Sequence, residues 1–523
     1  MLDRLRALRV LARRGMIEPS RPDRAVHAAR AIRRYGAFGG LLAHAAARYA
    51  HAPALTDDAG TVSFAELEAG SNALARGLLA RGIGEGAVIA LLYRNHRGIL
   101  LALGAANKAG ARVVLMNTGF AGPQLADVCR REQVAAVFAD DEFTGLLSGL
   151  PESLPRLDID ELSRGQTTGP LSAPAKPGGM VLLTSGTTGT PKGAPRNKID
   201  PLQSAQLLDR IPWPANSTYV AAAPLFHATG LATCALGLAL GSHVVLTRRF
   251  DPETTLRAVA GHRASVLIVV PTMLHRILDL GPDVLGTCET SSLRVLFAAG
   301  SALSPDLCRR TAKTFGEVLY NLYGSTEVAA AAIATPAELR AAPGTVGRTP
   351  LGCRLDCYDA ERRRITEPGK TGTLFVASGL SFAGYTDGNN KEIVDGLLST
   401  GDTGHFDESG LWFVDGRDDE MIVSGGENVF PLEVENLLDG HPDVIDAAVI
   451  GVDDVEFGKR LCAFVVAEPG SGLDADAVRA FVRTELARHK VPRDVVFVGE
   501  LPRNATGKLL KNQLEILMKG TTR

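Results

Sequence analysis

The chain has almost no net charge and no long apolar run. Its 523 residues include 56 Lys and Arg against 58 Asp and Glu, which gives a formal net charge of −2. Without an excess of basic residues there is no global field to recruit nucleic acid, so we expect no nucleic-acid partner. No stretch reaches the roughly 18 uncharged apolar residues of a membrane-spanning helix. These absences are typical of an ordinary globular protein. Its 523 residues are too many for one core, so we expect two or more domains.

Cysteine is also sparse. The seven cysteines are scattered along the chain, and residues 353 and 357 form the only close pair. No second pair or histidine cluster accompanies them, which argues against a structural zinc site. An odd number of cysteines without a secretory signal favours a reducing, cytoplasmic location.

The first 37 residues differ from the rest. Ten arginines stand in residues 1–35 against three acidic residues, with leucines at helical spacing between them. We expect a solvated helix packed on the main body. The alternative is peripheral contact at the inner face of the membrane, because a basic amphipathic segment also suits an anionic membrane surface.

Beyond residue 38 the pattern predicts an α/β fold. Ser63 is a plausible N-cap for a helix that starts at Phe64, and residues 88–92 form an apolar run typical of a buried strand. Further apolar runs at 112–116 and 134–138 alternate with helical patterns. This alternation predicts parallel-rich sheets covered by helices. Residues 144–178, rich in Pro, Gly and Ser, predict a loop or weak connector.

The C-terminal third has a different pattern. After Gly344 the sequence becomes strand-rich, which predicts a β-barrel-like subdomain. A charged stretch at 416–420 then precedes an α+β unit of about a hundred residues, enough for its own small core. The predicted units are the N-terminal segment 1–37, a large domain 38–415, a hinge 416–420 and a small mobile domain 421–523.

A glycine- and hydroxyl-rich stretch at 184–193 follows the apolar run at 180–183. Its ten residues include three glycines, five hydroxyl side chains and Lys192. Glycines let successive N–H groups approach an anion, and the lysine adds positive charge, so the composition favours phosphate binding. A flexible surface turn has a similar composition.

Five further motifs follow in order along the chain. They are NLYGSTE at 321–327, STGD at 399–402, GRDDEMI at 416–422, SGGEN at 424–428 and PRNATGK at 502–508. Together with the glycine-rich stretch they resemble the adenylate-forming superfamily of acyl-CoA synthetases, nonribosomal adenylation domains and luciferases, and most closely its fatty acid–CoA ligases. The resemblance covers the chain from about residue 40.

Two other nucleotide-binding motifs are excluded. A P-loop requires Gly-Lys-Ser/Thr after four intervening residues, whereas Lys192 follows Pro191 and precedes Gly193. No Gly-x-Gly-x-x-Gly opens a helix after the first strand, so a Rossmann dinucleotide site is unsupported.

The resemblance implies an ATP site. Its members are Thr184, Ser185, Gly186, Thr187, Thr188, Gly189, Lys192, Gly300, Ser301, Asn321, Tyr323, Gly324, Thr326, Asp402 and Arg417. Tyr323 is expected to stack on adenine, and Asp402 to accept the ribose hydroxyls. Mg²⁺ entering with ATP is assigned to Thr187 and Glu327, because it prefers hard oxygen ligands.

The resemblance also implies two half-reactions. Lys508, with Thr326 and Glu327, is expected to serve the adenylation of a carboxylate. The small domain would then rotate about Asp419, so that Gly425 and Gly426 line the tunnel through which coenzyme A reaches the acyl-adenylate.

The motif PLFHATG at 224–230 resembles the acyl-pocket motif, with His227 and Gly230 as pocket residues. It contains no aspartate to pair with an α-ammonium group, which argues against an amino acid as the substrate.

We therefore expect a medium- or long-chain fatty acid–CoA ligase that acts on small-molecule substrates. We also expect it to form homodimers. The alternatives are an acyl-AMP ligase that loads a carrier protein, a ligase for aryl or other acids, and a non-catalytic nucleotide-binding protein. The segment 383–387 (AGYTD) only partly matches the family, since Trp-Asn often follows Gly-Tyr.

Overall fold

The structure is a computed structural model. It describes residues 2–184, 192–196, 204–382, 384–424, 427–454, 458–504 and 507–521. The structural statements below concern these residues.

Helices and strands are numbered in chain order. The helices α1 to α17 are Leu2–Arg13, Pro22–Tyr49, Phe64–Ala80, Arg97–Ala109, Gly122–Arg131, Thr144–Leu147, Ile159–Ser163, Ala205–Asp209, Ala228–Ala239, Pro252–Gly261, Pro271–Leu278, Gly281–Thr287, Pro305–Phe315, Pro336–Ala341, Pro431–Leu438, Ala475–Glu485 and Lys511–Thr521. The strands β1 to β25 are Pro53–Asp57, Gly60–Ser63, Val88–Leu92, Arg112–Leu115, Ala136–Ala139, Arg156–Leu157, Met180–Thr184, Lys192–Arg196, Thr218–Ala221, His243–Leu246, Val266–Val269, Val295–Ala299, Leu319–Tyr323, Ala332–Ala334, Arg354–Tyr358, Arg364–Ile365, Gly372–Ala377, Ile393–Val394, Leu397–Phe406, Trp412–Arg417, Ile422–Ser424, Glu427–Val429, Val444–Asp454, Gly458–Ala467 and Asp494–Phe497.

Two parallel-rich sheets form the body of the large domain. The first has the order β14-β13-β12-β11-β9-β10-β1-β2, and its edge strands β14 and β2 are antiparallel to their neighbours. The second has the order β6-β5-β3-β4-β7-β8, and β8 is its antiparallel strand. One apolar core joins them, since Leu42 of α2 and Leu91 of β3 belong to the same buried cluster as Leu55 and Val244 of the first sheet.

Local sequence signals explain several boundaries. Ser63 caps α3 by accepting the backbone N–H of Glu66, whose carboxylate in turn accepts the N–H of Ser63. This reciprocal pair satisfies two of the free donors at a helix start, and it confirms the predicted N-cap. The predicted connector at 144–178 is more structured than expected, because α6, β6 and α7 lie within it.

The strand-rich segment forms a sheet with the order β16-β15-β17-β19-β18, and β20 pairs with β19. A fourth sheet, β22-β21-β24-β23 with β25 beside β24, belongs to a smaller C-terminal α+β unit. The predicted fold class is therefore confirmed. The domain limits given above stay a prediction.

The arginine-rich start packs against the body along one side. Ala7 and Leu11 of α1 are buried, and Arg14 donates a hydrogen bond to the carbonyl of Leu208. Leu5 and Leu8 are 52% and 43% exposed on the outer side. None of the described helices combines the length and the apolar character needed to cross a membrane.

Candidate active site

Two neighbouring parallel strands bring the nucleotide motifs to one edge of the first sheet. Ala299 of β12 pairs with Leu322 of β13, so Gly300 and Gly324 leave the sheet side by side at its carboxyl edge. Ligands of open α/β sheets bind at such edges. Gly300 has a φ of +104°, and a Cβ at Gly324 would lie 1.9 Å from the carbonyl oxygen of Ala329. Both backbone paths therefore require glycine.

Tyr323 and Asp402 meet across two sheets. The Tyr323 hydroxyl donates to Asp402 Oδ2 at 2.6 Å, and Arg417 Nη1 donates to Oδ1 at 3.1 Å. Asp402 and Arg417 face each other in the register of β19 and β20, which explains the pairing. Burial raises the pKa of Asp402, although Tyr323, Arg417 and the positive charge of Lys508 oppose that rise. The carboxylate is thus oriented by both partners and keeps lone pairs for a further ligand.

Glu327 is held by two hydroxyl groups. Ser325 Oγ donates to its Oε2 at 2.7 Å, and Tyr385 Oη donates to its Oε1 at 2.6 Å. Burial raises the pKa of Glu327, but these hydrogen bonds outweigh it and hold the pKa below its usual value. The side chain is therefore a buried carboxylate that carries its charge at neutral pH. Such a hard, ionised oxygen donor fits Mg²⁺.

Lys192 lies on the same side as Glu327. It is the first residue of β8, which pairs antiparallel with β7, so the predicted phosphate loop connects these two strands. The ammonium nitrogen lies 5.2 Å from the centroid of the Tyr385 ring. Thr184 ends β7, whereas the predicted ligands Ser185, Gly186, Thr187, Thr188 and Gly189 lie outside the described residues.

The remaining residues of the ATP motifs lie near the two glycine turns. Ser301 directly follows Gly300, and Thr326 stands between Ser325 and Glu327. Asn321, on β13, is only 4% exposed, and its Oδ1 has no hydrogen-bond partner among the described residues.

Lys508 reaches the site from the C-terminal unit. Its turn is closed by the Lys508 backbone N–H, which donates to Asn504 Oδ1 at 3.0 Å, and by the Asn504 N–H, which donates to the Lys508 carbonyl at 2.8 Å. Gly507, with a φ of +76°, packs against Thr272 of α11. The positive charge of Lys508 lowers the pKa of His227 and that of Asp402. The charge of Lys508 therefore acts on both the acyl-pocket motif and the predicted ribose site.

His227 directly precedes α9. Burial, with a smaller contribution from Lys508, lowers its pKa to about 3, so the imidazole is neutral at physiological pH. Its Nε2 is buried and has no hydrogen-bond partner among the described residues. Gly230 lies one turn on, where a Cβ would come 2.3 Å from the carbonyl oxygen of Pro224. The motif therefore offers an uncharged wall.

The predicted hinge lies between β20 and β21. Arg417 Nε donates to Asp419 Oδ1 at 3.1 Å, and Glu420 forms an ion pair with Lys511 at 2.8 Å. A crevice of about 550 Å³ between α11 and residues 500–513 marks where the two domains face each other. Gly425 and Gly426 lie outside the described residues.

Sequence reasoning missed two residues of this site. Tyr385, which contacts both Glu327 and Lys192, belongs to the segment 383–387 that matched the family only in part. Its Gly-Tyr pair was the signal that could have identified it. Thr272 has no sequence signal, because its role depends on where the small domain lies.

Comparisons with known proteins agree with this geometry. A family model described as AMP-binding enzyme matches residues 42–386, and one described as AMP-binding enzyme C-terminal domain matches residues 433–508. An indoleacetate–CoA ligase from Aromatoleum aromaticum is 31% identical over 88% of this chain and 94% of its own. A fatty acid–[acyl-carrier-protein] ligase from Streptomyces coeruleorubidus is 29% identical over 88% and 92%.

A solved structure extends the likeness to three dimensions. It is an o-succinylbenzoate CoA synthetase from Bacillus subtilis in complex with its acyl-adenylate intermediate. The two chains share 26% identity with a TM-score of 0.79, over 91% of this chain and 97% of that one.

Proposed function

Because this chain belongs to the AMP-binding enzyme family, we propose that it activates an aromatic or arylalkanoic carboxylic acid and transfers the acyl group to coenzyme A. At the coarser level, it is an AMP-forming acid–CoA ligase. The observation that carries the proposal is the packing of Gly507 on Thr272, which brings the turn that carries Lys508 against the large domain. The charge of Lys508 there acts on both His227 and Asp402. A cation that acts on both an acyl site and a nucleotide site suits the meeting of a carboxylate with an α-phosphate.

In the first half-reaction the substrate carboxylate attacks the α-phosphorus of ATP and pyrophosphate leaves. Catalysis of phosphoryl chemistry depends mainly on positioning and charge stabilisation. Lys508 holds the carboxylate against the α-phosphate, and Lys192 holds the departing phosphates. Glu327, together with Thr187, would hold Mg²⁺, which when bound neutralises phosphate charge.

In the second half-reaction the thiol of coenzyme A displaces AMP from the acyl-adenylate. We expect the small domain to rotate about Asp419 before this step, which removes Lys508 and brings Gly425 and Gly426 to the site. The contact of Gly507 with Thr272 belongs to the adenylation arrangement and must break during that rotation.

We propose an aromatic acid as the substrate in place of the fatty acid expected from the sequence. A relative at 31% identity is an indoleacetate–CoA ligase, and the structural relative is an o-succinylbenzoate CoA synthetase. Both acids carry a planar ring. The aromatic ring of Phe226 and the neutral imidazole of His227 pack together at the acyl motif, with centroids 4.4 Å apart, and so provide aromatic rather than charged groups there. Residues 224–240 contain no acidic side chain, so an α-ammonium group would have no partner there.

A panel of acids tests the proposal. Purified enzyme with ATP, Mg²⁺ and coenzyme A is given arylacetic, cinnamic, benzoic and C8–C16 fatty acids, and the acyl-CoA products are identified by mass. We expect thioesters of ring-bearing acids, with AMP released in equal amount. Lys508→Ala is the control for contaminating ligases. Formation of fatty acyl-CoA alone would contradict the proposal.

A carrier-protein acceptor is the second candidate, and the relative that loads an acyl-carrier protein favours it. The two acceptors are separated by a titration of coenzyme A against holo-carrier protein. Stalled acyl-AMP at millimolar coenzyme A, relieved by a carrier thiol, would replace the proposed acceptor.

We further propose peripheral membrane contact through α1. Leu5 and Leu8 face outward, while Ala7 and Leu11 attach the helix to the large domain. Exposed Arg4 and Arg9 suit anionic headgroups. Co-sedimentation with phosphatidylglycerol vesicles should fall for a variant with both outward leucines changed to serine, and equal sedimentation would remove the proposal. Homodimer formation stays a prediction.

A further inference from the structure

A loop of the antiparallel sheet domain reaches into the phosphate side of the site. Tyr385, in the connection between β17 and β18, donates its hydroxyl to Glu327 at 2.6 Å. The face of the same ring lies 5.2 Å from the Lys192 ammonium nitrogen. Phe382 packs edge-on against that ring with centroids 4.8 Å apart. One side chain therefore contacts both the predicted Mg²⁺ carboxylate and the predicted phosphate cation.

These two contacts use different parts of the tyrosine. The hydroxyl occupies one lone-pair position of Glu327 and leaves others for a metal ion. The ring attracts the ammonium through its electron-rich face, an interaction that does not need the hydroxyl. Tyr385 is itself partly buried and packs against the core of the antiparallel sheet domain, which fixes the place of its ring beside the two charged groups.

The next residue fixes the same loop to the strand that carries Lys192. The Thr386 N–H donates to the carbonyl of Gly193 at 2.9 Å, and Thr386 Oγ1 donates to the buried carboxylate of Glu132 at 2.8 Å. A Cβ at Gly193 would lie 2.5 Å from Thr386 Oγ1. Since only glycine fits there, β8 and the loop lie in direct contact, and Tyr385 keeps its place relative to Lys192.

We propose that Tyr385 is a positioning residue for metal-bound ATP, holding Glu327 and Lys192 at a set separation for the β- and γ-phosphates. The inference rests on the proposed function and deepens it. Tyr385 belongs to a segment that matches the family only in part, and its proposed role concerns the phosphates of ATP rather than the acid.

The test compares two substitutions at Tyr385. Tyr385→Phe keeps the ring and removes the hydrogen bond to Glu327, whereas Tyr385→Leu removes both contacts. Tyr358→Phe is the matched control, because Tyr358 also donates to a carboxylate, Asp395 at 2.9 Å, in the same sheet but with neither partner in the proposed site. Equilibrium binding is measured by calorimetry with MgATP, with ATP in EDTA and with a non-hydrolysable acyl-AMP analogue.

We expect Tyr385→Phe to weaken MgATP binding by roughly 10- to 150-fold, as for the loss of a hydrogen bond to a charged group. In EDTA the ATP affinity of Tyr385→Phe should equal that of wild type, because Glu327 then has no metal ion to hold. Tyr385→Leu should lose affinity in both conditions, because Lys192 is also released. Binding of the acyl-AMP analogue, which has no β- or γ-phosphate, should match wild type in both variants.

Two results would overturn the inference. One is wild-type MgATP affinity in Tyr385→Phe, and the other is an equal loss of affinity for the acyl-AMP analogue, which would indicate a general structural defect. If wild-type enzyme bound no MgATP at all, the proposed function itself would be wrong and the inference would fall with it.

Discussion

Substitution of alanine at Gly507 should block acyl-adenylate formation and spare the transfer of a supplied acyl-adenylate to coenzyme A. A Cβ at this position would lie 2.0 Å from Thr272 Oγ1 and 3.0 Å from both Cβ and Cγ2 of the same threonine. Rotation of the threonine side chain does not remove the contact, because its Cβ stays 3.0 Å away in every rotamer. The turn that carries Lys508 would have to move away from α11.

The free-energy cost of Gly507→Ala has two contributions. An alanine at a φ of +76° costs about 1–2 kcal/mol. That strain is common to both domain arrangements, because the turn's own hydrogen bonds join Asn504 to Lys508 and do not involve the large domain. We assign the clash with Thr272 to the adenylation arrangement alone, where we expect it to cost roughly 1–3 kcal/mol, as for other overpacked contacts. Adenylation should therefore fall by about 5- to 150-fold more than acyl transfer.

Separate half-reactions measure this difference. Pyrophosphate release with acid and ATP reports adenylation, and conversion of synthetic acyl-AMP with coenzyme A reports transfer. A double variant with Thr272→Gly removes all three opposing atoms, so it should recover the steric part of the loss. Thr272→Gly alone is the control for damage to α11. Equal loss in both half-reactions of Gly507→Ala, or no recovery in the double variant, would refute this docking of the turn.

Three further predictions concern charged groups. Arg417→Ala should raise the KM for ATP by ~10- to 100-fold. Because Asp402 then loses a neighbouring positive charge, its pKa rises further, and ATP binding should be lost at a higher pH than in wild type as the pH is lowered. An unchanged acidic side of the pH profile for ATP binding would contradict the pairing of Arg417 with Asp402. Lys508→Ala should lose adenylation by about two or more orders of magnitude yet still convert supplied acyl-AMP to acyl-CoA, and equal loss of both would contradict its role. Asp439→Asn should raise the melting temperature at pH 8 and leave it unchanged near pH 4. Burial raises the pKa of Asp439 to about 7, so the wild-type fold loses stability as the pH rises from about 4 to 7. A shift of equal size at both pH values would exclude this explanation.

Much of the fold is readable from local signals. The cap at Ser63 and the buried run at 88–92 predict their elements because each depends on neighbours in sequence. The edge position of Gly300 and Gly324 follows from the alternation of strands and helices, since parallel strands end at the same side of a sheet.

Contacts between distant segments were not readable in this way. The hydrogen bond from Tyr385 to Glu327 joins a loop of the antiparallel sheet domain to the end of a parallel strand, and no periodic pattern encodes it. The packing of Gly507 on Thr272 depends on the orientation of a whole domain. The sequence pattern also did not decide between a fatty and an aryl acid, because the apolar residues after His227 serve a helix core and a pocket wall alike.

We propose that a ring-bearing acid is the preferred substrate of this ligase. The decisive experiment is a competition in which an arylacetic acid and a C12 fatty acid are supplied together at equal concentration with ATP, Mg²⁺ and coenzyme A. The ratio of the two acyl-CoA products at early time gives the ratio of kcat/KM values without a separate binding measurement. We expect an excess of the aryl thioester of roughly tenfold or more. A product that is mainly fatty acyl-CoA would contradict it.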